Sequence, residues 1–222
     1  MEIRTTFHKK LREIQDEVLV MGSMVGKAIT FSVKALKERD LDLAHQVISD
    51  DLKVNQKRFE IEEKCVELIA TQQPMASDLR IIIAILNITT EIERIGDYAM
   101  GIARVVIMTG DEPPLKPLID IPRMAEKMTD MLHRSLDAFV KHDADTAREI
   151  ATEDDDVDNL YVQVFRELLT FMAEDPKTIT RATRLIWVAH NLERSADRVT
   201  NICERVVYMV TGKMEEIGAS KY

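Results

Sequence analysis

An all-α fold, built as two copies of one three-helix unit, is predicted by three features of this 222-residue sequence. Glycine and proline are scarce, 7 and 6 residues, and aromatic residues make up only 5%, so helix-favouring Leu, Ala, Met, Glu, Lys and Arg dominate. Prolines fall in three places, at Pro74, at the group Pro113, Pro114, Pro117 and Pro122, and at Pro176, leaving long stretches without helix breakers. The pattern of side chains also repeats about halfway along.

Six long helices follow from this punctuation, at 4–38, 41–72, 77–109, 118–141, 143–173 and 177–214. In the first, Val18–Val25 resembles a short signal-peptide core. Glu13, Asp16 and Glu17 stand directly before it and no small-residue cleavage site follows, so it reads as part of a soluble helix. The second ends ahead of Pro74. The third has the clearest periodicity, with Ile81, Ile85, Ile88, Ile92, Ile95, Ala99, Ile102 and Val106 alternating by four and three. Such a heptad seam suits an up-down bundle. The segment GDEPPLKPLIDIP at 110–122 holds four of the six prolines and separates a first unit, 1–110, from a second, 123–222, by a Pro-rich linker at 111–122. The fifth helix carries an inward stripe of Val157, Tyr161, Val164, Leu168 and Phe171, and the sixth repeats the seam through Leu185, Val188, Leu192, Ser195, Val199, Ile202 and Val206.

Moving forward by 103 positions, Met21 falls on Met124, Ala35 on Ala138, Asp40 on Asp143, Ala44 on Ala147, Asp51 on Asp154 and Val54 on Val157. Pro74 meets Pro176 at an offset of 102, and Glu93, Arg94 and Asp97 meet Glu193, Arg194 and Asp197 at 100. The chain is one three-helix unit written twice.

Composition excludes several functions. A net charge of −9 disfavours wrapping nucleic acid, which requires a dense cationic surface. Two cysteines, Cys65 and Cys203, form no CxxC pair and read as buried thiols. The longest strictly apolar run, Ile81–Leu86, is far short of the ~20 residues that span a bilayer, so no transmembrane helix is expected. The five histidines form no HxxxH or ExxH pair, and no GxxxxGK[ST], GxSxG or GxGxxG is present. A ferritin-like di-iron oxidase, nucleotide hydrolysis and acyl transfer therefore lack their usual residues.

What remains is duplicated acid. Glu93 and Asp97 lie one helical turn apart, as do Glu193 and Asp197, just after an inward position of the seam, and so read as surface pairs. Like charges at this spacing repel in an isolated helix, and a hard cation reverses that penalty. On the preceding helix of each unit, Asp51 is spaced by four from Asn55 and Asp154 from Asp158, with Asp154 extrapolating to the inward face. If these helices are adjacent and antiparallel, Asp154, Asp158, Glu193 and Asp197 converge, against Asp51, Asn55, Glu93 and Asp97 in the first unit. An all-oxygen set suits Mg²⁺, Mn²⁺, Ca²⁺ or iron better than structural zinc. Arg94 and Arg194 stand ready to steady a carboxylate, receive an anion or form ordinary surface ion pairs. Arg80 sits near the start of the third helix, two places after Asp78, a first-turn charge or cap.

The segments QQPMASDLR at 72–80, ERIGDYA at 93–99 and LERSADRVTN at 192–201 resemble signatures of the PhoU family of phosphate-specific transport system accessory proteins, over essentially the whole chain. The second copy has DPKTITRATR in place of the QPxAxDLR motif, so Asp78 and Arg80 are not duplicated. The resemblance implies two three-helix bundles with quasi-twofold symmetry whose E/DxxxD motifs hold multinuclear clusters of iron, manganese, magnesium, zinc or calcium. Carried over by position, the ligands are Asp51, Asn55, Glu93, Asp97, Asp154, Asp158, Glu193 and Asp197. It further implies a cytoplasmic, non-enzymatic homodimer that restrains high-affinity phosphate uptake. Its partners are the ABC-transporter ATPase and the phosphate-sensing histidine kinase, and it reaches the membrane only through them. Asn55 departs from the acidic pattern and weakens the first site, because an amide offers a single neutral oxygen. A metal-dependent phosphohydrolase and a metal-free helical scaffold are the competing readings of the same carboxylates.

Overall fold

The computed structural model describes residues 2–217, with side chains from Thr6 onward, and every regular element among them is helical. The helices are α1 (Glu2–Glu38), α2 (Leu41–Gln72), α3 (Ser77–Thr109), α4 (Asp120–Lys141), α5 (Ala144–Thr152), α6 (Asp154–Glu174) and α7 (Ile179–Thr211), with a 3₁₀ turn at Pro176–Thr178 leading into α7. The first three match the sequence-based limits closely.

The fifth predicted helix does not run unbroken over 143–173; it divides at Glu153 into α5 and α6. Arg134, from α4, grips the Glu153 carboxylate through both terminal nitrogens at 3.0 and 2.8 Å, and Lys127 approaches to 3.5 Å. The Asp156 N–H donates to the Glu153 carbonyl at 3.1 Å, a tightened turn. A fresh amino terminus at Asp154 lets Asp154, Asp155 and Asp156 occupy a first turn, where the helix dipole favours negative charge.

The internal repeat is visible in the turns. Arg39 and His142, 103 positions apart, both take left-handed backbone at φ 57° and 55°. Each is followed by an aspartate cap: Asp40 accepts from the Leu43 N–H at 2.9 Å and Asp143 from the Thr146 N–H at 3.0 Å. The caps satisfy amide groups that a helix start otherwise leaves unpaired.

Both seam helices lie at the centre, and their seam residues are buried in one continuous core that takes residues from both units. α3 packs against α7, while α2 touches only α1 and α3 among the described residues. Glu91 accepts from Asn201 Nδ2 at 3.1 Å, Tyr98 lies close enough to Arg194 to help raise its pKa, and a Cβ on Gly101 would lie 3.1 Å from Asn191 Oδ1. These partners stand at equal distances before and after Gly96 and Ala196. The helices therefore cross antiparallel about a quasi-twofold axis near those two residues. α1 meets α4 similarly, with Gly22 under Leu136 and Gly26 under His133.

The connection at 110–119 is pinned. Leu115 and Leu118 pack on the core, Lys116 pairs with Glu167, and Arg184 Nη1 lies 3.2 Å from Glu112. One finding qualifies the expectation that no helix is apolar enough to span a bilayer: Thr6–Glu38 in α1 meets that test by length and composition. Half of its most apolar stretch is buried, and Val18, Met21, Val25 and Ile29 face the core, which is the composition of a central bundle helix. Cys65 and Cys203 are free and buried, and burial first of all pushes both thiols up to about 12.

Matched caps predict matched losses. Asp40→Ala and Asp143→Ala are each expected to cost about 1 kcal/mol and to add in the double variant, measured by urea denaturation. A marked departure from additivity would show that the two turns do not behave as independent copies.

Candidate metal centres

Each unit folds its second-helix and third-helix acids into one groove, between α2 and α3 and between α6 and α7. In the first, burial and then the negative charge of Asp97 hold the Asp51 carboxyl above the usual carboxylate range, against Arg104 and Asn55, which draw it down. Burial, Asp97 and Asp51 likewise raise Glu93, opposed by Arg58 and Arg94. Asp51, Glu93 and Asp97 thus share one electrostatic neighbourhood. Asn55 belongs to it as a donor: its Nδ2 gives hydrogen bonds to Asp51 Oδ2 at 3.0 Å and to the Asp51 carbonyl at 3.2 Å.

The second groove is more strongly frustrated. Burial, then Asp158, Asp197 and Glu193, push Asp154 up to about 7. Burial and then Asp197 push Glu193 up to about 7, despite Arg194 and Arg198. Asp158 is raised by burial, Asp197 and Asp155. Asp154 therefore feels the other three carboxylates of this set, and no group of one set is among those that shift the other.

The reading of the E/DxxxD motifs as surface pairs needs correction. The Glu93 and Glu193 side chains are only 16% and 18% exposed and that of Asp197 28%, whereas Asp97 is exposed. A helix flanked by three others has little solvent face beside its seam, and the outer helix of each unit lies over the glutamates.

Arg194 Nη1 approaches Asp197 Oδ2 to 2.6 Å and does steady a site carboxylate. Arg94 instead pairs with Glu91 at 3.2 Å on the exposed side. Arg80 belongs to neither groove. It lies against Gly212 at the end of α7, and the 13 residues separating it from Glu93 amount to about 20 Å of helix.

Sequence reasoning missed four groups. Arg58 Nη1 stands 3.9 Å from Glu93 Oε1, and Arg104 acts on Asp51. Arg198 reaches Glu91 at 3.2 Å and also acts on Glu193. His190 Nδ1 lies 3.3 Å from Glu193 Oε2, and its HxxE spacing was the available signal. The arginines are brought in by tertiary packing and leave no local motif.

Among the described residues four buried carboxylate oxygens have no hydrogen-bond partner: Glu17 Oε2, which belongs to neither set, and Asp51 Oδ1, Asp154 Oδ1 and Glu193 Oε2, the last facing His190 Nδ1 at 3.3 Å. A buried acceptor left unpaired costs about 1–3 kcal/mol, more when charged. A cation satisfies such oxygens, and on this ground both residue sets fit one. Among the described residues, however, no three His, Cys, Asp or Glu side chains are drawn together as a ready coordination shell.

Fold and grooves together define an internally duplicated, all-helical protein with one carboxylate set per copy. The PhoU domain model matches residues 18–106 and again 121–206, and the chain belongs to the PhoU family. It is 39% identical over 215 residues to the phosphate-specific transport system accessory protein PhoU homolog of Clostridium acetobutylicum, covering 96% of this chain and 98% of that one. The crystal structure of PhoU from Pseudomonas aeruginosa superposes with a TM-score of 0.88 at 38% identity, covering 93% of this chain and all of that one. The phosphate transport system regulatory protein PhoU from Streptococcus pneumoniae gives a TM-score of 0.89 at 31% identity, covering 95% of this chain and all of that one.

The second groove sets a pH dependence. Asp154 and Glu193, both raised to about 7, bind protons more tightly folded than unfolded. Their contribution to stability is therefore full below the ordinary carboxylate range, is lost as pH rises to about 7, and is flat above. Chelator-treated protein is expected to melt lower at pH 8 than at pH 5. Asp154→Asn should flatten the profile and raise the melting temperature at pH 8 by about 2–4 °C. A variant whose profile parallels the parent's would show that Asp154 does not carry this charge penalty.

Proposed function

We propose that this protein is a non-enzymatic, metal-binding regulator of phosphate homeostasis that acts on a phosphate transport system. The names of its relatives, which call them accessory or regulatory proteins of phosphate transport, support the setting. Asp51, Asn55, Glu93 and Asp97 hold one cation group, and Asp154, Asp158, Glu193 and Asp197 hold the other. The observation that carries this reading is the matched pair of unpartnered buried oxygens, Asp51 Oδ1 in the first copy and Asp154 Oδ1 in the second, at equivalent positions of the repeat. When bound, cations such as Mg²⁺, Mn²⁺, Ca²⁺ or iron supply positive charge and bridging between helices, and all-oxygen donors favour these over zinc.

The chain's own residues set the difference between the grooves. Arg194 orients Asp197, while Asn55 fixes one oxygen of Asp51 and turns the other toward the groove. With three carboxylates against four, the first set is the weaker. As a cytoplasmic homodimer, the protein restrains the high-affinity phosphate ABC transporter through its ATPase and keeps the phosphate-sensing kinase repressive. Both effects follow from binding one state of each partner more tightly than the other. It meets the membrane only through those partners.

Protein purified without chelator should contain stoichiometric metal, and Glu193→Ala with Asp197→Ala should remove that of the second groove. No metal, and no thermal shift with Mn²⁺, Mg²⁺ or iron, would leave a metal-free scaffold. Phosphate-ester turnover lost in the same double variant would establish a phosphohydrolase instead. Membranes from phosphate-replete cells should yield the transporter ATPase or the sensor kinase on the immobilised protein; recovery of neither defeats the regulatory assignment. Asn55→Asp should tighten cation binding at the first groove roughly tenfold, read by titration calorimetry.

A further inference from the structure

Where the two units meet, one cavity is lined by three guanidinium groups. It is small, about 40 Å³, and lies among Arg39, Arg181, Arg184 and Glu112, with Leu115 and Leu118 in its apolar wall. In a chain of net charge −9, a concavity bearing three cations and one carboxylate is the inverse of both acidic grooves.

Local structure does not account for these arginines. Arg39 occupies the left-handed position of the α1–α2 turn, yet its repeat counterpart His142 makes the same turn, so the turn does not require arginine. Among the described residues Arg39 has no hydrogen bond or ion pair. Arg181 and Arg184 lie in the first two turns of α7, the helix end where a cation is disfavoured, and that first turn holds no acidic residue. Each is bonded through one nitrogen, Arg181 Nη1 to the Pro113 carbonyl at 3.3 Å and Arg184 Nη1 to Glu112 Oε2 at 3.2 Å. A guanidinium has five donors, so most of this capacity is unused.

We propose that this inter-unit cavity binds a small organic oxyanion, with its carboxylate or phosphate-ester head on Arg39, Arg181 and Arg184 and a short apolar body against Leu115 and Leu118. A space of about 40 Å³ takes the head group alone and leaves the apolar body across its mouth, and an anion relieves the clustered positive charge at the α7 amino terminus. Glu112 is the internal competitor, because it holds Arg184 where the head group would sit. The site is independent of the acidic grooves and of any metal they hold.

The test is titration calorimetry on the full chain in chelator with phenyl phosphate, benzoate, inorganic phosphate and benzyl alcohol. Phenyl phosphate or benzoate should bind saturably at one per chain and at least tenfold more tightly than inorganic phosphate, and benzyl alcohol should not bind. Which of the two wins identifies the head group. Arg39→Gln should weaken binding about tenfold without moving the melting temperature, since Arg39 makes no structural bond. Glu112→Gln should tighten it severalfold by freeing Arg184, whereas a residue that only clamps the connection would lower stability and leave binding unchanged. Absence of saturable binding by both aromatic anions, equal affinity for inorganic phosphate, or indifference to both substitutions overturns the proposal.

Discussion

The antiparallel crossing of α3 and α7 is the constraint from which the rest of the molecule follows. Glu91 is its polar fixed point, accepting from Arg198 and Asn201 on the opposite helix and from Arg94 on its own. That network shares its turns of α3 and α7 with fully buried Ile88, Ile92, Val199 and Ile202, so register and burial are set together. Charge-assisted hydrogen bonds in such surroundings fix geometry more firmly than exposed ion pairs do. Once the crossing is fixed, α2 and α6 can only lie outside it, and each covers the acidic motif of its own third helix.

This placement explains why the grooves are strained. A chain selected for stability alone would fill the position of Asp154 or Glu193 with an apolar or neutral residue, since buried carboxylates with like-charged neighbours favour the unfolded state at neutral pH. The core supplies enough burial to tolerate the cost. Its seams run continuously through both units, and the 3₁₀ turn and pinned connection close the ends. Conflict between local electrostatics and global packing recurs at matched places of the two copies, and it is this recurrence on which the binding role proposed above rests.

Much of this was legible in one dimension. The third helices were readable because the four-and-three spacing of Ile81 through Val106 has one structural meaning, and every residue of that seam is buried. The inward phase of Asp154 followed from the same arithmetic and agrees with its buried Oδ1. The break at Glu153 was not legible, because its cause is Arg134, on another helix and 19 residues away. The partial burial of Glu93 and Glu193 was missed because a helical wheel locates the seam but not the second and third neighbours that shade the flanks. The arginine cavity draws on three elements distant in sequence and leaves no motif at all.

The two copies have also diverged where they most resemble each other. Counting 103 positions, Arg134 corresponds to Phe31, Lys127 to Met24 and Glu153 to Asp50. In the second unit these residues form the ion network that walls Asp154 on its amino-terminal side. In the first unit the same space is a cavity of about 180 Å³, reaching past Met24 and Phe31 to Asp51 and Gly96. Gly96 contributes to the opening, since a Cβ there would contact Asp51 Oδ1 at 3.5 Å, whereas Ala196 supplies one. The second groove has more carboxylates and less access, the first fewer carboxylates and an open flank. On the metal-binding reading proposed above, a cation in the second would be held by charge and enclosure, while one in the first would be reached from solvent past Met24, Lys27 and Phe31.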